Sequence, residues 1–298
     1  MNNLIVCIPS YNRATLLSSL FENLRSQRDH NFVLIILNDG GNNETKNALQ
    51  NQSPQFEYHY IETERPSGLP LARNIIFDYI EDKKINTEKT YLAFLDDDLE
   101  IKEDFIEKIK EYSTKFDAFC FRMEQKGIAP TFDFTKSELL QKMFSPMIGK
   151  IFPFLGIIFG GFYIKTKKIK KVDHLVGCCL IYNFSKNKKQ RFDLNLNEGN
   201  YIGEDTCFSY GLKKSGNDLR FIGTYSFIHN SPSHGGCKIN DKRKSFFWYW
   251  KHKLYIFKIY NSKTELVSAK FFCLLESIFL SLIFRYNLVR EYLNSIRQ

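Results

Sequence analysis

The chain has 298 residues, a formal net charge of +9 and 43% hydrophobic residues, which is enough apolar material for a buried core and excludes a disordered polyelectrolyte. Aromatic residues make up 15%, more than solubility favours, so part of them is expected on a surface that meets a partner or a membrane. The positive balance points to an anionic partner, either a phosphate-bearing ligand or an acidic lipid surface.

Taken in chain order, NLIVCIP reads as a strand, RATLLSSLFENLRSQ as a helix, FVLIILND as a strand and NETKNALQNQ as a helix. FEYHYIE (strand), LPLARNIIFDYIE (helix) and TYLAFLD (strand) continue the alternation. That order predicts an α/β fold with a mainly parallel sheet and helices on both faces. Unbroken apolar runs such as VLIIL suit strands covered on both sides. Open sheets of this kind bind ligands beyond the carboxyl ends of their strands, and there the sequence places PSYNR, NDGGNN, ERPSG and DDD in turn.

The middle of the chain, 116–191, is less regular, with basic runs KTKKIKK and KNKKQR around the apolar piece LVGCCLIY. Residues 143–164 are apolar but interrupted by Lys150, prolines and glycines, and are expected as a buried or interfacial loop. From about Lys238 a basic, aromatic, helical tail begins. Within it, KRKSFFWYWKHKLYIFK (242–258) fits a nucleic-acid surface, an aromatic helix packed on the core, or an interfacial membrane helix. The last is favoured, since Trp and Tyr prefer the headgroup zone and lysines are drawn to anionic lipid. Residues 266–284, which carry Lys270 and Glu276, are expected as an amphipathic surface helix and not a span.

Seven cysteines (Cys7, Cys120, Cys178, Cys179, Cys207, Cys237 and Cys273) form neither a CxxC pair nor a zinc-spaced cluster with histidine, so a reducing, cytoplasmic location is expected. The opening MNNLIVCIPSYN lacks the basic and long apolar regions of a signal peptide.

The carboxylates Asp96, Asp97 and Asp98 repel one another, and their joint ionisation calls for a positive partner. A divalent cation with oxygen ligands, Mn2+ or Mg2+, fits. The plainer alternative is that Asp97 or Asp98 caps the helix predicted from EIKEDFIEKIKEY. His229, anchored on a strand, completes a metal shell better than His234 in its glycine-flanked loop. In CIPSYNR, Tyr11 can stack on a base while Arg13 and the helix start favour phosphate; Ser10 or Asn12 as a plain helix cap is the alternative. Asp39 in LNDGG can bond a base edge or simply close a turn, and Arg73 in GLPLARN can reach a diphosphate or one of the aspartates. Glu204 and Asp205 open a predicted helix, where acids stabilise the helix dipole or act as a general base.

In this order PSYNR, NDGG, GLPLARN, FLDDD, VGCCLIY, GEDTCFSYGLKKSG and FIH resemble the family-2 inverting glycosyltransferases of GT-A fold, over roughly residues 4–229. The resemblance implies a Rossmann-like domain over 1–237, with a nucleotide-sugar half (about 1–115) and an acceptor half (about 116–237), followed by a helical region, 238–298. It assigns Pro9, Tyr11, Arg13, Asp39, Arg73, Asn74, Asp96 and Asp97 to the nucleotide-sugar, and Asp98 with His229 to a Mn2+ or Mg2+ ion on the diphosphate. Asp205, with Glu204 as the alternative, becomes the base that deprotonates an acceptor hydroxyl. The implied reaction moves a sugar, from a UDP-sugar by preference, to a glycan or lipid-linked acceptor at the inner face of an anionic membrane, in cell-surface polysaccharide synthesis. Cys207 stands where the family often has another aspartate, and Asn38 where the first aspartate of DDGS is common. A nucleotidyltransferase is disfavoured because its glycine-rich, arginine-bearing loop is missing. A silent module that docks lipid or nucleic acid through the basic tail is the rival from another class. No nucleic-acid partner is expected, and a homo-oligomer paired through the aromatic tail stays open.

Overall fold

The computed structural model describes residues 3–41, 43–50, 54–85, 87–127, 137–199, 201–231 and 241–297; His234 and Cys237 fall outside them. β1 (Asn3–Ser10), α1 (Ala14–Arg25), β2 (Val33–Asn38), α2 (Asn43–Gln50), β3 (Glu57–Glu62), α3 (Leu69–Asp82) and β4 (Thr90–Leu95) follow the alternation read from the sequence. β4 runs into the short β5 (Leu99–Glu100), then α4 (Phe105–Ser113) and β6 (Ala118–Gly127). α4 starts only at Phe105, after Asp104, so neither Asp97 nor Asp98 caps it.

The chain continues through α5 (Glu138–Phe144), a small hairpin of β7 (Lys150–Phe152) and β8 (Ile157–Phe159), β9 (Ile169–Lys171), β10 (Cys179–Asn183), α6 (Glu204–Lys214) and β11 (Leu219–Ser231). Stretch 143–164 is thus not a plain loop: it holds the β7–β8 hairpin, and Phe154 and Leu155 stay exposed on the turn between them.

Among the described residues the main sheet has the order β3-β2-β1-β4-β10-β6-β11-β5, with β9 on β11. β3, β2, β1 and β4 are parallel; β10 opposes β4 and β6, while β6 and β11 are again parallel. β2 and β4 flank β1, so the chain turns back across β1 and opens a crevice at the carboxyl ends of β1 and β4, the switch point where such sheets take ligands.

Strand side chains alternate between two cores. Val6, Ile8, Ile36 and Ala93 meet α1 and α4 through Leu17, Phe21 and Ile109. Ile5, Cys7, Ile35 and Phe94 meet α3 and α6 through Ile76, Phe77 and Phe208. Both faces being covered explains why the strands are apolar without interruption.

The tail forms α7 (Lys242–Tyr260), α8 (Lys263–Phe284) and α9 (Leu288–Arg297). Asp241 caps α7, and Ser262 with Glu265 forms a capping box on α8. Here the favoured reading of 242–258 is corrected: α7 is an aromatic helix packed on the core. Trp250 is fully buried and donates Nε1–H to Glu276, and Lys253, also buried, donates to the same carboxylate at 2.7 Å. Trp250, Leu254 and Phe257 share one cluster with Leu196, Cys207 and Tyr210 from before the tail. Trp250→Ala is therefore expected to lower stability by about 3–5 kcal/mol, measured by urea unfolding.

Candidate active site

The turns after β1 and β4 meet in the crevice. Ser10 Oγ donates to Asp97 at 2.6 Å, and Arg13 Nη1 donates to Asp97 at 2.8 Å and Asp98 at 3.0 Å. The N-cap position of α1 falls on Arg13 and not on Ser10 or Asn12, and Arg13 makes no side-chain cap hydrogen bond. Burial pushes the Asp97 carboxyl up to about 6, against the pull of Arg13.

Asp97 turns toward Ser10 and Arg13; Asp98 shares Arg13 through its Oδ2 and turns its Oδ1 toward His229. Asp96, Asp98 and His229 offer ligand atoms that all lie within 4.8 Å of one another. His229 Nε2 is 3.1 Å from Asp98 Oδ1 and 3.9 Å from Asp96 Oδ2. β5 pairs with β11 at His229–Leu99, which is how a residue 131 positions downstream of Asp98 arrives beside it. Burial opposes a charged His229 imidazole, yet Asp98 and Asp96 hold its pKa above the ordinary value. Asp98 Oδ1 is buried and faces His229 Nε2. Two carboxylate oxygens and an imidazole nitrogen converging there form a donor set that fits Mn2+ or Mg2+.

Pro9, Ser10, Tyr11, Arg13, Asp39, Pro66, Gly68, Leu69, Ala72, Asp96, Asp97 and Tyr201 line a cleft of about 280 Å³. Asp39 does more than close a turn. Its carboxylate accepts from Thr63 Oγ1, Ser67 N and Oγ, and Gly68 N at 2.7–3.1 Å, which folds residues 63–68 over one side of the cleft. Gly68 has φ +87°, and a Cβ there would lie 2.5 Å from Asn197 Oδ1, so the loop that leads into α3 requires glycine.

Arg73 and Asn74 point away from this cleft, into the scaffold. Arg73 is buried, donates to Glu204 Oε1 at 2.5 Å and to Gly177 O at 3.1 Å, and reaches Asp96 at 3.5 Å. Arg73 thus has an aspartate among its partners. Asn74 exchanges two hydrogen bonds of 2.9 Å with the main chain of Phe192, where the sequence assigned it to the nucleotide-sugar.

Glu204 is buried and its Oε2 has no hydrogen-bond partner among the described residues; burial pushes its carboxyl up, with Arg73 opposing. Asp205 is partly exposed, and its two oxygens accept from Gly177 N and Thr206 N, each at 2.7 Å. Cys207, the departure from the usual acid, is packed under α7 in the C-terminal cluster, so an acid at this position would face a core.

Several residues at the site escaped sequence reasoning. Tyr201 lines the cleft, and the segment that brings it there is held by α7: His252 Nδ1–H donates to Ile202 O at 2.9 Å, Tyr255 OH to Asp193 at 2.7 Å, and Trp248 packs on Gly199. His174 is buried beside Thr206, 3.3 Å from its hydroxyl, and burial lowers its pKa against the pull of Asp205. Positive φ at Tyr201 is invisible in sequence, whereas ERPSG was already marked as a turn at the ligand edge.

The sequence profile of glycosyl transferase family 2 matches residues 5–191. The chain belongs to that family. Over 137 residues, 45% of this family-2 chain, it is 27% identical to the teichoic acid poly(glycerol phosphate) polymerase of Staphylococcus epidermidis. It spans only 17% of that polymerase's length. Among solved structures, S. aureus TarS 1-349 in complex with UDP-GlcNAc superposes with a TM-score of 0.59 at 13% identity, over 95% of this chain and 73% of that one. The mannosyltransferase PcManGT from Pyrobaculum calidifontis, in complex with GDP-Man and Mn2+, gives 0.60 at 12% identity, over 99% and 74%. At these identities the two structures establish the shared GT-A fold.

Proposed function

We propose that this chain transfers a sugar from a nucleotide-sugar, a UDP-sugar by preference, to a hydroxyl of a glycan or lipid-linked acceptor in cell-surface polysaccharide synthesis, with inversion at the anomeric carbon. The observation that carries it is the junction of two acidic sites: Asp96, Asp98 and His229 converge at the edge of the donor cleft, and Arg73 joins Asp96 to Glu204 at the start of α6. In support, the related TarS and PcManGT structures hold UDP-GlcNAc, and GDP-Man with Mn2+, respectively.

Tyr11 and Pro66 flank Gly40, at 3.3 and 3.1 Å from the position of a Cβ there, and form a slot for a planar base whose floor is ordered by Asp39. Asp98, Asp96 and His229 hold a divalent cation, which supplies charge neutralisation for the departing nucleoside diphosphate. Arg13 sits on Asp97 and Asp98 and can exchange part of that contact for a phosphate oxygen. Asp205 takes the acceptor proton: it is the more accessible of the two acids, and two backbone N–H donors fix the orientation of its carboxylate. Glu204 stays with Arg73 and fixes the start of α6.

Gly177 positions that base. A Cβ on it would lie 2.8 Å from Asp205 Cβ, so Gly177→Ala is expected to lower turnover by about tenfold or more while leaving nucleotide binding unchanged, because a displaced reacting group costs rate steeply. Turnover against calorimetric affinity separates the two effects. The function itself is tested by screening UDP-sugars with Mn2+ for UDP release, alone and with lipid-linked glycans, and by the anomeric configuration of the product. A product of retained configuration rules out the single-displacement role of Asp205.

A further inference from the structure

α8 is long and apolar enough to cross a membrane, but its two faces differ. Ala269, Cys273, Ser277 and Leu280 are buried against neighbouring helices. On the other side Val267, Phe271, Leu275, Phe279 and Leu282 are exposed, Leu282 by 76%. Their spacing keeps them on one face over about 22 Å of helix. Exposed Phe154 and Leu155 prolong the stripe at its start, where Ser268 Oγ donates to Phe154 O at 2.6 Å.

Neither acid of α8 stands on this face. Glu265 closes the capping box, and Glu276 accepts from Trp250 and Lys253. Cations collect at the far end: Lys242 and Arg243 lie 5.3 and 5.4 Å from the ring centres of Phe284 and Tyr286, next to exposed Arg285. Residues 241–297 hold eleven Lys and Arg against four Asp and Glu, a net of +7 of the chain's +9.

We propose that the outer face of α8, with Phe154 and Leu155, docks on an anionic lipid bilayer, the helix lying in the headgroup plane. Apolar side chains enter the acyl boundary while the cationic rim stays with lipid phosphates. Crossing the bilayer would strip the buried face from α7 and α9. A second copy fits less well, because it would cover the apolar stripe without supplying an anionic partner for the cationic rim. The surface is a different one from α7, whose aromatics belong to the core, and its role does not depend on the identity of the donor.

Flotation of the full chain with vesicles of phosphatidylglycerol and phosphatidylcholine, against phosphatidylcholine alone, tests the proposal. The expected result is binding to the anionic vesicles that weakens with salt, and a loss of about tenfold or more for the Phe271→Glu/Phe279→Glu variant. Both side chains point to solvent, so the variant is expected to keep the parent's Tm; should Tm fall, Val267→Glu/Leu282→Glu repeats the test. A folded variant that binds as well as the parent overturns the proposal. So does a parent that binds no vesicles, including one found as a dimer that the variant splits.

Discussion

Asp98→Ala is expected to abolish metal-dependent nucleotide binding and to lower sugar transfer by about three orders of magnitude. Asp98 is the buried member of the Asp96–Asp98–His229 group, with His229 on its Oδ1 and Arg13 on its Oδ2. Its removal takes a carboxylate from the cation's donor set, and a cation that neutralises a diphosphate leaving group contributes several kcal/mol to the transition state. Arg13 retains Asp97 at 2.8 Å, so the β1 turn keeps its anchor. Turnover at saturating Mn2+, together with an unchanged Tm, is the measurement; a variant that keeps half its activity contradicts this assignment.

The second large effect separates two adjacent acids. Asp205→Asn is expected to reduce turnover by about 10²–10⁴-fold with nucleotide affinity intact, the cost of losing a general base. Arg73 and Glu204 are buried together, so Glu204→Ala is expected to act on stability, by about 3–5 kcal/mol, because it leaves Arg73 with less compensation for its charge. Paired measurements of kcat and Tm on both variants decide the roles. Full turnover in Asp205→Asn with loss in a still-folded Glu204→Gln would transfer the base to Glu204.

The β1–β4 half was legible in the sequence because its strands are buried on both faces and its helices on one, which leaves a strong period in each. The carboxylate cluster was legible because three adjacent aspartates at a strand end need a cause. His229 was found from its place on a strand, and β11 carries it to Asp98. The direction of Arg73 and Asn74 was not legible: their partners Glu204 and Phe192 lie 131 and 118 positions away, and a motif cannot say whether a side chain faces ligand or scaffold. His174 was hidden for the same reason.

The tail shows the opposite failure. α7 buries Trp250, Leu254 and Phe257 while also turning His252 and Tyr255 to the segment that carries Tyr201. A helix in contact on several sides resembles an interfacial one in sequence. This packing also makes the boundary at 237/238 a poor place to cut: α7 braces a cleft-lining segment, so the tail is expected to be needed for nucleotide binding as well as for docking.

The central claim is that Asp96, Asp98 and His229 serve a metal-bound nucleotide in the adjoining cleft. Calorimetric titration of the full chain with UDP, in the presence and absence of Mn2+, tests it most directly. Saturable binding that requires Mn2+ is the predicted result. No binding of UDP, dTDP or GDP under either condition would contradict it.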